Sequence, residues 1–462
     1  MSAIGTNGRP LRVAIVGSGP SGMYAAGSLL AAEGLEVSVD VFDRLPAPYG
    51  LVRYGVAPDH QKIKMVSRVF DRTIQDPRVR FLGNAEVGRD LTREELKARY
   101  DQVVYAVGAQ SDRSLGIPGE ELEGSISSTE LVAWYNCHPD LADARYPLHH
   151  ERVAVVGIGN VAMDVARVLA RPAVDLSRTD VSDLALRELE QSRVREIFVV
   201  ARRGPVQAKC SPAELKELTE LPGVQVVVDL RDLELDPASE AALEGDRSAT
   251  KNLELFRALA AAEPDPARRK IHFKFLMSPV EIEGEDGRIT GLRLERNVLE
   301  PTPGRLRARG TGETETLPVT MVVRAIGYRS DPLLDLPYDE RGAIVPNVEG
   351  RVLCEEAPDS FCREYVVGWV KRGPTGLIGT NKMDAQETVD RMLEDVSGLP
   401  DAPFEEVAPE AVDRLLEERG VEVVRYADWQ RLDALEVERG RQADRPRVKF
   451  LRVEEMLAEL RR

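Results

Sequence analysis

The stretch Gly17-Ser18-Gly19-Pro20-Ser21-Gly22 reads G-x-G-x-x-G, between an apolar run at 11–16 and a helix-like run at 23–32. In such a turn the first glycine allows the tight bend, the second lets a pyrophosphate approach the backbone, and the third lets helix pack on strand. Asp43 ends the next apolar run, 37–42, where a carboxylate is placed to bind a ribose 2'-hydroxyl. The pattern predicts a dinucleotide-binding unit, and a glycine-rich structural turn is the alternative.

The same arrangement returns at Gly157-Ile158-Gly159-Asn160-Val161-Ala162, after an apolar run at 152–156 and before a helix-like run at 161–169. Here the acidic residue is missing. The next strand, 196–200, comes late because residues 171–193 are inserted before it, and it is followed by Arg202 and Arg203. An acidic side chain would repel a 2'-phosphate, whereas two guanidiniums bind it with charge-assisted hydrogen bonds. The pair favours NADP over NAD, and a solvated basic turn is the alternative.

Repeated alternation of strands and helices predicts an α/β fold with parallel, doubly wound sheets. Two buried strands, 103–107 and 322–326, end at Gly108 and Gly327, and we interpret them as the points where the chain passes between domains. The acidic segment 236–266 reads as surface helices, 291–296 as an alternating strand, and the chain after 396 as helical. Two dinucleotide sites in one chain indicate FAD, held tightly, and an exchangeable nicotinamide.

The amino-acid composition argues against several classes of partner and of cysteine-based site. The 462 residues include 78 acidic and 62 basic side chains, and the net charge of -16 disfavours nucleic acid and anionic membranes as partners. The four cysteines contain no C-x-x-C pair, so we expect no disulfide, no metal site and no protein-ligated iron-sulfur cluster. No stretch is long and apolar enough for a membrane span and the N-terminus lacks a signal-peptide pattern, which predicts a cytoplasmic location.

Two longer motifs carry a family resemblance. PYGLVRYGVAPDH at 48–60 and GWVKRGPTGLIGTNK at 368–382 resemble the adrenodoxin reductase type of ferredoxin-NADP reductase, and the likeness runs from Leu11 to the end of the chain. The resemblance implies a split FAD-binding domain, 1–112 and 328–462, into which an NADP-binding domain, 113–327, is inserted. Trp369 stands where the wider flavoprotein superfamily commonly has aspartate, which fits this branch and argues against disulfide reductases.

The resemblance also implies which residues contact each cofactor. FAD contacts are expected at Ser21, Asp43, Leu51, Val87, Trp369, Gly376, Leu377 and Ile378. NADP contacts are expected at Ile158, Gly159, Asn160, Val161, Arg202, Arg203, Glu214 and Gly376. The small residues of 373–379 would let the backbone lie against a flat ring, and a plain loop is the alternative.

By the same resemblance His60 pairs with Glu217, and the two are expected to orient the nicotinamide or assist proton movement. Hydride transfer itself requires proximity and stacking rather than a general base, so we interpret them as positioning and tuning groups. Glu214 and Glu217 lie three apart on a predicted helix and share a face. The alternatives are a solvated helix face and a structural histidine.

The activity implied is that of an FAD-dependent NADPH:ferredoxin oxidoreductase, a ferredoxin-NADP(+) reductase that takes hydride from NADPH and passes single electrons to a ferredoxin-type iron-sulfur protein, with a cytochrome P450 as one candidate final acceptor. Ferredoxins are usually acidic, so a local basic patch is needed, around Arg53, Arg68 and Arg72 or on the NADP domain. One alternative is a module like the small NADPH-oxidising subunit of glutamate synthase, although this chain has no cysteine before Cys137. A non-catalytic flavin redox regulator is the other.

Overall fold

The N-terminal part of the chain alternates strands and helices around the first glycine turn. The computed structural model describes residues 4–6, 8–146, 148–263, 265–302, 305–353, 362–400 and 407–462. The first elements are β1 Leu11–Val16, α1 Pro20–Leu30, β2 Val37–Phe42, α2 Leu51–Tyr54, α3 Gln61–Lys64, α4 Ser67–Ile74, β3 Val79–Leu82, α5 Arg93–Arg99 and β4 Gln102–Tyr105. β1 is parallel to both β2 and β4. Its six residues are all buried because both faces of the sheet are covered.

The middle of the chain repeats this alternation around the second glycine turn. Its elements are β5 Ser111–Asp112, β6 Ser125–Ser127, α6 Ser128–Tyr135, β7 Arg152–Val156, α7 Asn160–Ala170, α8 Ala173–Leu176, α9 Asp183–Glu190, β8 Glu196–Val200, α10 Pro212–Thr219, β9 Val224–Val228, α11 Pro237–Ala242, α12 Arg247–Ala260 and β10 Arg269–Lys274. The inserted segment 171–193 therefore holds two helices. The prediction of helices in 236–266 is confirmed by α11 and α12.

An antiparallel sheet follows and leads back to the parallel one. Its strands and the two after them are β11 Met277–Glu285, β12 Arg288–Thr302, β13 Arg305–Leu317, β14 Met321–Arg324 and β15 Tyr328–Arg329. β11, β12 and β13 pair as antiparallel neighbours. In the described residues the second parallel sheet has the order β6-β14-β7-β8-β10-β9. β14 thus brings the chain back into this sheet, between β6 and β7.

The C-terminal part completes the first sheet. Its elements are β16 Asn347–Val348, β17 Arg351–Val352, β18 Glu364–Val366, α13 Trp369–Arg372, α14 Thr380–Asp395, α15 Pro409–Glu418, α16 Tyr426–Gln442 and α17 Val453–Leu460. β18 lies parallel to β4, with Tyr365 opposite Val104. Across the ranges described, the order is β16-β17-β18-β4-β1-β2-β3. Both ends of the chain therefore build one sheet and the middle builds the other, which confirms the predicted α/β class with two Rossmann-like units.

The two connections between these units lie side by side. β5 and β15 pair as antiparallel strands, with Tyr328 opposite Asp112. The C-terminal segment adds a second link, because Nζ of Lys449 lies 3.1 Å from a carboxylate oxygen of Asp180 and donates to the carbonyl of Arg53 at 3.0 Å. Lys449 is buried. Chain crossing and buried charge together hold the two units against each other.

Two sequence expectations are corrected by the structure. Arg53 is buried and its Nη1 donates to Glu436 at 2.9 Å, so it cannot belong to a surface patch, whereas Arg68 and Arg72 are exposed. Cys362 is disulfide-bonded, so the expectation of no disulfide was wrong, because cysteine spacing says little about which thiols meet in a fold. Cys354 lies outside the described residues. No helix in the described ranges is long and apolar enough to cross a membrane.

Candidate functional site

The two glycine turns have the same geometry at the carboxyl ends of β1 and β7. Gly17 has φ 110° and Gly157 has φ 135°, a backbone region open to glycine and strained for other residues. A Cβ on Gly17 would lie 2.6 Å from the carbonyl oxygen of Ala106, and one on Gly157 would lie 2.1 Å from that of Ala325. Neighbouring strands therefore leave room for glycine alone at both turns.

The following helices present free backbone donors to these turns. α1 begins after Gly19 and α7 after Gly159, and neither helix start in the described chain has a side-chain cap. Among the described residues nothing lies within 4 Å of a Cβ built on either glycine. Uncapped N–H groups and the helix dipole, beside an open space, form a site for a phosphate group. Both turns therefore fit the pyrophosphate of a dinucleotide.

Asp43 supports the first turn directly. Its carboxylate accepts hydrogen bonds from the backbone N–H of Leu45 at 3.0 Å, from the N–H of Ser18 at 3.2 Å and from the Ser18 hydroxyl. Burial raises the pKa of Asp43, while these donors stabilise its charged form. The acid that was predicted to bind a ribose thus also holds the glycine turn in place.

Several of the residues expected at FAD surround the first turn. A Cβ on Gly50 would lie 3.1 Å from Cα of Gly19, which places Leu51 at that turn. A Cβ on Gly368 would meet the Ser21 hydroxyl at 2.0 Å, so the Trp369 segment lies against the start of α1. The Trp369 indole donates to the Thr375 carbonyl at 3.2 Å, and its ring centroid lies 5.0 Å from that of Tyr328.

The remaining expected FAD contacts lie on either side of this group. Leu377 lies in the segment that precedes α14 and is 65% exposed. Its N–H donates to the Thr380 hydroxyl at 3.1 Å. The backbone of Gly376 has a φ of 82°, in the left-handed region. Ile378 packs against the core of the first unit, and Val87 packs against the cluster on the other face of its sheet. The structure brings the first turn and the segment that begins at Gly368 together.

The arginine pair expected at the 2'-phosphate follows β8. Arg202 is exposed and Arg203 half-buried, and within the described ranges neither guanidinium has an ion pair. Burial and the charge of Arg202 lower the pKa of Arg203. Asn297 donates to the Arg202 carbonyl at 2.9 Å and fixes the backbone there. Two adjacent cations without a counter-ion are suited to a dianionic phosphate.

The backbone beside the second turn is fixed by the segment that leads into α10. The side-chain oxygen of Asn160 accepts from the N–H of Ser211 at 2.9 Å, and the carbonyl of Ile158 accepts from the N–H of Lys209 at 3.1 Å. Val161 packs against the core of the second unit. The side-chain oxygen of Asn160 is therefore engaged within the protein.

His60 and Glu217 meet between the two units. Nε2 of His60 lies 2.7 Å from Oε2 of Glu217. His60 precedes α3 in the first unit, and Glu217 lies on α10 in the second. Glu214 lies on the same face of α10, with Oε2 3.9 Å from Nε2 of His60. The structure thus joins three of the predicted residues at the boundary of the two units.

The centre of this cluster is a residue that the sequence analysis missed. The guanidinium of Arg167, whose side chain is 0% exposed, lies 2.9 Å from Asp59, 3.1 Å from Glu214 and 3.2 Å from Glu217. Asp164 lies 2.7 Å from it. Arg167 stands inside the apolar run of α7, and a charge in such a run was the signal that could have revealed it.

Three side chains of the cluster are of a type that can bind a metal ion. Side-chain atoms of His60, Glu214 and Glu217 lie within 4.8 Å of one another, a group of metal-ligating type. Arg167 supplies positive charge at 3.1 Å and 3.2 Å from the two glutamates. Burial raises the pKa of Asp164 to about 6, with Arg167 opposing that effect. The cluster is a buried ionic network that spans the two units.

Comparison with known proteins agrees with this geometry. Residues 11–229 match the family model described as pyridine nucleotide-disulphide oxidoreductase. NADPH-ferredoxin reductase FprA of Mycobacterium tuberculosis (strain ATCC 25618 / H37Rv) is 45% identical over 458 residues, which cover 97% of this chain and 99% of that protein. The mitochondrial NADPH:adrenodoxin oxidoreductase of Arabidopsis thaliana is 42% identical over 464 residues, covering 97% and 95%.

Solved structures show the same relationship. Mycobacterium tuberculosis FprA in complex with NADPH superposes with a TM-score of 0.93 at 44% identity, and the match covers 98% of this chain and 100% of that one. The family resemblance drawn from the segments 48–60 and 368–382 is therefore confirmed. The chain belongs to the NADPH-ferredoxin reductase family that includes FprA and mitochondrial adrenodoxin oxidoreductase.

Proposed function

We propose that the protein is an FAD-dependent NADPH:ferredoxin oxidoreductase that holds FAD at the first glycine turn and exchanges NADP(H) at the second. The observation that carries this is the pair of matched turns, each with an uncapped helix start, with the His60–Glu217 contact of 2.7 Å between the units. The near full-length identity with FprA supports the same activity. When bound, FAD accepts electrons in pairs and releases them singly, as an iron-sulfur acceptor requires.

The chain's own residues have distinct parts in this activity. N–H groups at the start of α1 and α7 bind the two pyrophosphates, and Arg202 with Arg203 binds the 2'-phosphate. Glu217 holds the His60 ring, and Arg167 holds Glu217. Because hydride transfer depends on proximity and orientation, this network contributes by fixing the distance between the two units at the site.

Three finer features belong to the proposal. The FAD-binding domain comprises 1–112 and 328–462 and the NADP-binding domain 113–327, which agrees with the strands that make up each sheet. A cytochrome P450 is the proposed final acceptor downstream of the ferredoxin. A cytoplasmic location is proposed, and cell fractionation tests it.

The activity is tested with the purified holoprotein. We expect a yellow protein that reduces cytochrome c with NADPH when a ferredoxin is added and much more slowly without it. A yellow protein with no NADPH-driven turnover would instead support the non-catalytic redox regulator. A rate of cytochrome c reduction that does not increase with any ferredoxin tested would contradict the proposed acceptor.

Coenzyme choice is tested at the arginine pair. In Arg202→Ala/Arg203→Ala we expect KM for NADPH to rise about 100-fold or more, because two charge-assisted hydrogen bonds are lost, while KM for NADH changes little. The matched control is Arg193→Ala/Arg195→Ala, an exposed pair before the other end of β8. Stopped-flow reduction with both coenzymes measures the effect. Equal losses with NADPH and NADH would refute the assignment.

A further inference from the structure

One outward face of the first unit combines positive charge with exposed apolar side chains. Its cations are Lys62, Arg68 and Arg72, all exposed. Its apolar members are Ile63, Met65 and Val69, which are 42%, 48% and 52% exposed. Within the described residues none of the three cations has an ion pair. We call these six residues the α4 face.

The packing of α4 determines which of its side chains face solvent. Phe70 and Ile74 are buried, and the Phe70 ring lies 5.2 Å from that of Tyr24 on α1. The N–H of Arg68 donates to the carbonyl of Met65 at 3.1 Å, so helical geometry already begins before α4. Residues 65, 68, 69 and 72 then follow the i, i+3, i+4, i+7 spacing that lines one side of a helix. That side is opposite the buried one and faces solvent.

The local charge of this face is opposite to that of the whole chain. The chain carries a net charge of -16, yet the segment 61–75 contains one acidic residue, Asp71. Asp71 is only half-exposed and accepts hydrogen bonds from the hydroxyls of Tyr426, at 2.8 Å, and Tyr49. Nearby Arg78, by contrast, is paired with Asp76 at 2.9 Å. Three unneutralised cations around exposed apolar side chains form a surface suited to an acidic protein partner.

The α4 face also begins next to His60, at the boundary of the two units. His60 directly precedes α3, whose Lys64 turns inward to Asp180 at 2.7 Å while Lys62 and Ile63 turn outward. His60 and Arg72 are twelve positions apart, which corresponds to at most about 18 Å for helical chain, because α3 and α4 are separate helices. A standard interface of about 800 Å² per partner covers such a distance. A protein bound on this face would therefore lie beside the His60 site.

We propose that the α4 face is the docking surface for the acidic iron-sulfur protein that receives the electrons. The inference rests on the proposed function. The acidic partner supplies carboxylates for Lys62, Arg68 and Arg72, and its apolar contacts fall on Met65 and Val69. Charge steers the encounter, and the exposed apolar side chains stabilise the docked complex.

The test reverses the charges of the face in the FAD-loaded protein. Lys62→Glu/Arg68→Glu/Arg72→Glu is compared with Arg187→Glu/Arg257→Glu/Arg414→Glu, three exposed cations on α9, α12 and α15. Both triple variants change the net charge equally, so they separate a local from a global effect. The probes are a plant-type [2Fe–2S] and a bacterial [4Fe–4S] ferredoxin, each acidic, with cytochrome c as reporter. Ferricyanide serves as an acceptor that needs no docking surface.

For the α4-face variant we expect KM for ferredoxin to rise about tenfold or more at low salt, and its dependence on salt to weaken. Ferricyanide reduction should match wild type, and the control variant should keep most of its ferredoxin activity. Equal KM changes in both triple variants would overturn the docking surface while leaving the activity standing. A wild type that reduces ferricyanide but neither ferredoxin would overturn the proposed function and the docking surface with it.

Discussion

Replacement of Arg167 by glutamine tests the ionic network at the boundary of the two units. The guanidinium is fully buried and lies between 2.7 Å and 3.2 Å from the carboxylates of Asp164, Asp59, Glu214 and Glu217. Glutamine keeps a hydrogen-bonding amide but removes the charge. Four carboxylates then share one site without their common cation.

The expected cost is large because three of the partners, Asp59, Asp164 and Glu214, have side chains that are at most 15% exposed. Removing one member of a buried ion pair costs about 3–5 kcal/mol, chiefly through the uncompensated charge that is left. For a unit of 150–250 residues, 1 kcal/mol shifts the melting temperature by about 2–4 °C, so a decrease of about 6–20 °C is expected. The matched control is Arg171→Gln, directly after the end of α7, where a side chain that is 26% exposed contacts Asp59 at 3.0 Å. A part-exposed single pair contributes about 1 kcal/mol or less.

The effect should also depend on pH, which a simple loss of packing would not. Arg167 lowers the pKa of Asp59 and opposes the burial that raises the pKa of Asp164 to about 6, so the pKa values of both carboxyls rise when Arg167 is lost. A group with a raised folded pKa stabilises the fold at low pH and loses that contribution as pH rises through the folded pKa. The variant's defect should therefore be greatest near pH 8 and smaller near pH 5. Calorimetry at both pH values measures it.

A melting temperature for Arg167→Gln within about 2 °C of that for Arg171→Gln, at both pH values, would refute this reasoning. Stopped-flow reduction by NADPH gives a second measurement. Because Arg167 holds Glu217 in place, we expect slower hydride transfer in Arg167→Gln and a rate close to wild type in Arg171→Gln. Equal rates in the two variants would show that the network does not position the site.

Two further predictions concern single side chains. Glu217→Gln replaces a charged partner of His60 with a neutral one, which should slow flavin reduction about fivefold with little change in NADPH affinity; an unchanged rate in stopped flow would contradict it. Burial lowers the pKa of His138 to about 4, so about 3 kcal/mol of stability present above pH 6.5 should be lost as pH falls from 6.5 to about 4. His138→Asn, which keeps an acceptor for the N–H of Asp140, should flatten the denaturation profile across that range; a slope like that of wild type would count against the assignment.

Sequence reasoning succeeded where the determinants are local. The turns at Gly17 and Gly157 follow from a backbone conformation that glycine adopts and from an apolar run on one side and a helical run on the other. The buried strands before Gly108 and Gly327 follow from short apolar runs, and the domain boundaries that we placed after them stay a prediction. The contact of His60 with Glu217 was expected only from the family resemblance, since these residues lie 157 positions apart.

The network around Arg167 could not be found in this way. Its partners Asp59 and Glu214 are 108 and 47 positions distant, so no periodicity or spacing connects them. An arginine in an apolar helix is also compatible with a single outward-turned side chain. Only the approach of α10 and the segment before α3 shows that the charge is buried and shared.

By itself the sequence determined the two glycine turns and the α/β class, because backbone conformation and the periodicity of apolar residues act over a few positions. The tertiary structure alone decided which charged side chains are exposed and which are buried in ion pairs. Arg53 and Arg68 lie 15 positions apart in one basic segment, yet Arg53 is buried against Glu436, 383 positions away, while Arg68 remains exposed on α4. Burial and charge pairing depend on neighbours in space, and those neighbours come from distant parts of the chain.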